Sequence, residues 1–325
     1  MRVELLPIYQ TTDHSTRQLP LITLAGEAAG AKLVLTASVH SEAANGVAVI
    51  QRVLAQLRAS GLPRGTLYAL PLVNPFGSEA LNPTVPFDGT DLNRVFPGNP
   101  AGSFAERLAH RVYRTIFGLH PDLVIDLHTM STPQTLPFVI LDRCLETGRA
   151  DIAERLASLA NVFGLTVVYD FPPDHSRNMK LNQSLSSTLV NRASILAYTV
   201  ELGGTRMIDE AVVQAGVQGV FNALAALKMI DPQPPTLHTS AQTTPTPYRR
   251  DRAIRVNQAG WLHYQVAPGR WVAEGQTLAE VRDISGTVVE AICAPRAGFV
   301  LHLGSRASVL PGMEALTLAV EDTSA

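Results

Sequence analysis

From about residue 31 to residue 228, short apolar runs alternate with stretches of helical period. KLVLTASV, GTLYALPLVNP, DLVIDLHT, FVILD, VVYDF and ILAYTVELG read as strands. AANGVAVIQRVLAQLRAS places apolar side chains at Val47, Ile50, Val53, Leu54 and Leu57, the spacing of one helix face. FAERLAHRVYRTIFGL, DIAERLASLANVFG and EAVVQAGVQGVFNALAALKM also read as helices. Strands alternating with helices predict an α/β fold around a largely parallel or mixed sheet flanked by helices.

The pattern then changes. DPQPPTLHTSAQTTPTPYRR, residues 231–250, is rich in Pro and Thr and poor in apolar side chains, as expected of an extended connection. Beyond it helical periods vanish, and short β-like runs are separated by Gly and Pro. The predicted organisation is an α/β domain over 1–235, a linker over 236–250 and a smaller all-β domain over 251–325. The last part holds a loose repeat: AGWLHYQVAPGRWVAEGQTLAEV at 259–281 resembles AGFVLHLGSRASVLPGMEALTLAV at 297–320. Paired repeats of this kind predict a β-sandwich or barrel with internal pseudo-symmetry, similar to biotinyl- and lipoyl-carrier domains. A carrier acylates a lysine, and residues 251–325 contain none, so the tail is expected to carry no covalent cofactor.

Composition narrows the class. With 46% apolar and 17% charged residues, the 325-residue chain can bury a sizeable core. A net charge of −2 speaks against nucleic-acid binding, which needs a basic face. The two cysteines, Cys144 and Cys293, are far apart and form no CxxC pair. No apolar core of a signal peptide opens the chain, and no run is long enough to cross a bilayer. The expectation is a soluble, cytoplasmic protein without a membrane partner, its oligomeric state open.

Four stretches place reactive side chains at the ends of predicted strands, where open α/β sheets hold their sites. They are SVHSE with His40, the DLNRVFPG segment with Asn93 and Arg94, LVIDLHT with His128, and TVELGG with Glu201. Each alone has a structural explanation: a hydrogen-bonded histidine, a braced loop, a turn acid. Together they form a coherent set. Imidazole and carboxylate suit zinc, and three protein ligands leave one position for water. A nearby carboxylate can take a proton from that water, and a guanidinium can hold a carboxylate through two parallel bonds.

In this order the motifs resemble the succinylglutamate desuccinylase/aspartoacylase family, a branch of the zinc carboxypeptidase superfamily. DLNRVFPG is the most specific match, supported by NPFG, IDLHT, ELGG and the β-rich tail. The resemblance implies a zinc carboxypeptidase-like fold and a single zinc ion. His40 and His128 would be ligands, Glu201 the general base, and Asn93 with Arg94 the substrate anchor. The implied activity is removal of an acyl group from the nitrogen of a small amino-acid-like substrate.

Two features depart from the family pattern. The family reads roughly HGDExxG where this chain has HSEAANG. Ala43 therefore stands at the place of the third ligand, and the nearest acid, Glu42, comes one residue early. Glu42 could bind from an extended segment, another group such as Asp91, Asp88 or Glu79 could complete the site, or the metal could be lost. The preferred expectation is Glu42 as the third ligand. The second departure is an arginine: the family usually has one several residues before DLNR, and Asn74 to Asn93 contains no Arg or Lys. Two rival readings follow. One is carboxypeptidase-like activity on a short peptide, and the other is a non-catalytic or metal-depleted protein that binds a small carboxylate.

Overall fold

The computed structural model describes residues 1–10, 12–142, 150–204, 207–232 and 247–323. Cys144 and most of the expected linker, residues 236–246, lie outside them. The α/β part contains strands β1 (Arg2–Gln10), β2 (Thr16–Ala25), β3 (Ala28–Ala37), β4 (Arg64–Leu70), β5 (Leu123–Met130), β6 (Phe138–Leu141), β7 (Thr166–Tyr169) and β8 (Ala197–Gly204). Its helices are α1 (Ala44–Ser60), α2 (Pro75–Ala80), α3 (Phe104–Leu119), α4 (Ala150–Asn161), α5 (Pro173–Asn178), α6 (Leu185–Ala193) and α7 (Glu210–Ala226). Among the described residues no helix is long and apolar enough to cross a membrane.

The central strands run β4-β3-β5-β8, all parallel. β2 and β6 pair antiparallel on either side, which makes the sheet mixed. β3 and β5 are apolar on both faces because helices cover both faces of the sheet. From β3 the chain passes through α1 to β4 on one side. It then returns through α3 to β5 on the other side of β3. Right-handed crossovers put these helices on opposite faces and open a crevice at the C-terminal ends of β3 and β5. α3 is started by a reciprocal cap: Ser103 accepts from the Glu106 N–H, and the Glu106 side chain accepts from the Ser103 N–H.

One expected boundary has a different structure. Tyr248–Arg250, inside the predicted linker, forms β9, which pairs with β7. The tail adds β10 (Ile254–Arg255), β11 (Gly260–Tyr264), β12 (Trp271–Val272), β13 (Thr277–Arg282), β14 (Val288–Cys293), β15 (Gly298–Leu303), β16 (Ser308–Val309) and β17 (Glu314–Glu321). β17 pairs with β9 and carries the central sheet on into β15 and β12. β14-β13-β11-β16 form a second sheet. The tail is all-β, as expected, and its strands divide between an extension of the main sheet and a second, four-stranded sheet. Leu136, Phe138 and Val168 share an apolar cluster with Phe299, Leu301 and Ala319, which fastens the tail to the α/β part.

Candidate active site

His40 leaves β3 through a sharp corner. Ser38 takes a left-handed backbone conformation with φ 55°, and its carbonyl accepts from the Asn74 N–H at 2.9 Å. The carbonyl of His40 then accepts from the Ala43 N–H at 3.1 Å, closing a turn around Ser41 and Glu42. α1 begins at Ala44. Gly46 explains the glycine that ends the stretch. A β-carbon there would lie 2.7 Å from the carbonyl oxygen of Leu127, so α1 rests directly on β5.

His128 sits two residues beyond Asp126 on β5, so both side chains share a face. It is directly opposite Glu201 in the parallel pairing of β5 with β8. The rings of His40 and His128 are 5.4 Å apart. Each is held by a carboxylate at Nε2: His40 by Asp91 at 2.9 Å, and His128 by Asp126 at 2.7 Å. The fully buried Asp126 is steadied in turn by the Thr36 hydroxyl at 2.6 Å. A ring that donates from Nε2 keeps its lone pair on Nδ1.

The electrostatics favour a cation. Burial alone would push the His128 imidazolium down, but Asp126, with Glu201 and Asp91 behind it, raises it to about 9. Burial works against the charged form of Asp91, yet its bond to His40 and the charges of His40 and Arg94 lower it to about 2. Glu201 is 8% exposed, and its buried Oε2 has no hydrogen-bond partner among the described residues. Two imidazoles bound through Nδ1 to one tetrahedral zinc would have their centres roughly 5 Å apart. The observed ring separation, the carboxylates behind both rings and the orphaned Oε2 fit such an ion. The third ligand is less prepared. Glu42 lines the same cavity. Among the described residues, however, no three His, Cys, Asp or Glu side chains are gathered to hold a metal. The segment is a turn and not the extended run that the sequence allowed.

The anchor residues lie in the 3-10 turn Leu92–Arg94. Asp91 caps this turn through the Asn93 N–H while holding His40, and so ties the two motifs together. Asp91 was a candidate third ligand in the sequence; its contact with His40 makes it an orienting carboxylate. Asn93 accepts from the Leu185 N–H at 2.9 Å, leaving its Nδ2 to offer. Arg94 donates to the Asn93 carbonyl at 2.9 Å and lies 3.7 Å from Asp91.

His40, Glu42, Asn93, Arg94, His128 and Glu201 all line one cavity of about 990 Å³. Apart from His175, whose polar loop in the sequence is a candidate to line the site, sequence reasoning missed its other wall. Asp170, Phe171 and His175 come from the segment after β7, Arg250 from β9, and His302, Glu314 and Thr317 from β15 and β17. Only the loop histidine had a signal, its polar surroundings. The tail's residues carry no local motif, since β17 reaches the site only by extending the sheet.

Residues 29–227 match the model of the succinylglutamate desuccinylase/aspartoacylase catalytic domain. An N-alpha-acetyl-L-2,4-diaminobutyric acid deacetylase from Halomonas elongata is 25% identical over 277 residues, spanning 83% of this chain and 76% of the relative. A succinylglutamate desuccinylase/aspartoacylase structure from Rhodobacter sphaeroides superposes with a TM-score of 0.81 at 20% identity, over 99% of this chain and 95% of that one. The product-bound ectoine utilization protein EutE (DoeB) from Ruegeria pomeroyi gives 0.80 at 21% identity, over 98% and 94%. At these identities the structural likenesses establish the fold.

Proposed function

The chain belongs to the succinylglutamate desuccinylase/aspartoacylase family, and from that premise we propose that it is a metal-dependent amidohydrolase. It removes an acyl group from the nitrogen of a small amino-acid-like substrate. The reading is carried by two carboxylate-held imidazoles 5.4 Å apart that line one cavity with Glu201, whose buried Oε2 has no hydrogen-bond partner among the described residues. The deacetylase relative supports acyl removal as the reaction class.

His40 and His128 would hold zinc through Nδ1, with Glu42 as the third protein ligand. The ion, when bound, acidifies water and polarises the scissile carbonyl. Glu201 takes the proton of the attacking water on Oε2 and returns it to the leaving amine. Its low exposure keeps solvent from competing for that proton. Arg94 and the Nδ2 of Asn93 hold the substrate carboxylate and set the amide against Glu201. Asp91 and Asp126 fix the tautomer and the aim of the two rings.

The test is hydrolysis of a panel of N-acetyl and N-succinyl amino acids by zinc-loaded protein, with short peptides included for the carboxypeptidase-like alternative. Glu201→Gln should lower kcat by about 10²–10⁴-fold while leaving zinc content unchanged. Full activity in that variant would remove Glu201 as the base. One observation favours the metal-depleted alternative: Ala43, in the place of the family ligand, is 1% exposed and offers no donor. Purified protein that retains no zinc and cleaves no member of the panel would establish that alternative.

A further inference from the structure

α1 starts without help from its own end. Ala43, the residue before it, has no side-chain acceptor to cap the helix, and the first turn carries no acid. Yet the start of α1 fixes the turn that holds His40 and Glu42. The Ala43 N–H donates to the His40 carbonyl, and the Ala44 N–H donates to the Glu42 carbonyl at 2.9 Å. Asn45 supplies a hold from outside the helix. It is fully buried, and both ends of its amide are used. Nδ2 donates to the Leu202 carbonyl at 2.9 Å, and Oδ1 accepts from the Asp209 N–H at 2.9 Å. Asp209 in turn caps α7 through the N–H groups of Ala211 and Val212.

Of the two elements joined by the Leu202 bond, β8 is the fixed one. All eight of its residues are buried. At Glu201 it pairs with His128 of β5 on one side and with Phe138 of β6 on the other. Leu202 follows Glu201, so the bond ties the start of α1 to the strand that carries the base. Gly46 lets α1 come down on β5, and Asn45 fixes where it stops. The other end of the turn is held by the Ser41 hydroxyl, which donates to the Asn82 carbonyl at 2.7 Å. That contact is with a loop, whereas Asn45 refers the turn to the central sheet. A buried amide with two partners adds direction to packing, because its bonds form in one geometry.

We propose that Asn45 is a positioning residue of the metal site: by pinning the start of α1 to β8 it sets the turn of His40 and Glu42 against His128 and Glu201. This rests on the reading of His40 as a zinc ligand.

Calorimetric zinc titration of the full-length apoprotein, well below the melting temperature of each variant, tests it. Asn45→Leu keeps the bulk of the side chain and removes both bonds. Its zinc affinity should fall about tenfold or more, the loss typical when an outer support of a metal ligand is removed. At saturating zinc, kcat on the best substrate of the panel should fall while KM stays near its wild-type value, since Asn93 and Arg94 take no part in the lost bonds. A purely structural Asn45 would lower the melting temperature and leave zinc affinity and kcat as in wild type, and that result overturns the proposal. If Asn45→Leu does not fold, hydrogen exchange of the wild type decides. Metal binding and the Asn45 bonds must then reinforce one another, so zinc should slow exchange at the Asp209 amide. Unchanged exchange there overturns the proposal. A wild type that binds no zinc removes the metal reading together with this one, whereas zinc binding that Asn45→Leu leaves intact removes this one alone.

Discussion

At position 42 the chain replaces a familiar spacing with a turn. Glu42 follows His40 by two residues inside the turn closed between His40 and Ala43, and it lines the cavity. Ala43 is packed away at 1% exposure, where a longer side chain would have to displace its neighbours. Glu42 is therefore the acid this segment can bring to an ion. Glu42→Gln should lower zinc affinity by about tenfold or more in a calorimetric titration, the loss expected when a charged donor becomes neutral. Ala43→Glu should add little. Unchanged affinity in Glu42→Gln, or a large gain in Ala43→Glu, would show that Glu42 is not the ligand. The histidines and Glu201 could be picked out because each stands at or just beyond the end of an apolar strand run, and Asn93 with Arg94 because DLNRVFPG is a compact local motif; all five line one cavity. The partners that give them meaning, Asp91 on His40 and Asp126 on His128, depend on how loops and strands meet. Asp126 could be suspected from its shared face with His128. Asp91 could not be placed, since no periodicity governs the loop that carries it.

Among the elements, the periodic ones were the readable ones. The runs that alternate between β3 and α7 fold as the apolar spacing predicts. β1 and β2 left no reading because β1 is largely exposed, without an apolar face to pattern. The contact between α1 and β5 matters most to the site, since it sets His40 against His128. Gly46 allows it. Gly46→Ala would gain about 1 kcal/mol or less of helix propensity in the first turn of α1. Against this stands a β-carbon 2.7 Å from the Leu127 carbonyl and 3.2 Å from the Ala37 β-carbon. Relieving such overpacking costs about 1–3 kcal/mol. The clash should win, so urea denaturation should show a net loss of stability. Zinc affinity should fall as well, because Leu127 adjoins His128. A variant as stable as wild type would mean that α1 can lift from β5 without cost.

Across the whole molecule, the tail is joined to the α/β part by a continuous sheet and by backbone bonds from the loop after β5. The Leu136 N–H donates to the Leu301 carbonyl, and the Leu303 N–H donates to the Gln134 carbonyl, both flanking His302. His302 is 4% exposed, and its Nδ1 lies 3.6 Å from Glu314 with no hydrogen-bond partner among the described residues. Burial pushes its imidazolium down from 6.5 to about 4, against the opposing charge of Glu314 and with the help of Arg250. The sign follows from the protons bound. Below 6.5 the unfolded chain takes up a proton at this histidine, whereas the folded chain stays neutral until about 4. The contribution is therefore full above 6.5 and is lost as pH falls through that window. Its size is on the order of a few kcal/mol. Asp91, lowered from 3.8 to about 2, acts only at more acid pH, so the two effects separate. Urea unfolding of wild type and His302→Gln at pH 7.5 and at pH 5 isolates the histidine, with the pH values chosen on either side of its unfolded titration. Wild type should lose more stability than the variant on acidification. Equal losses would mean that His302 takes its proton inside the folded junction, and that the tail stays docked on the cavity when it does.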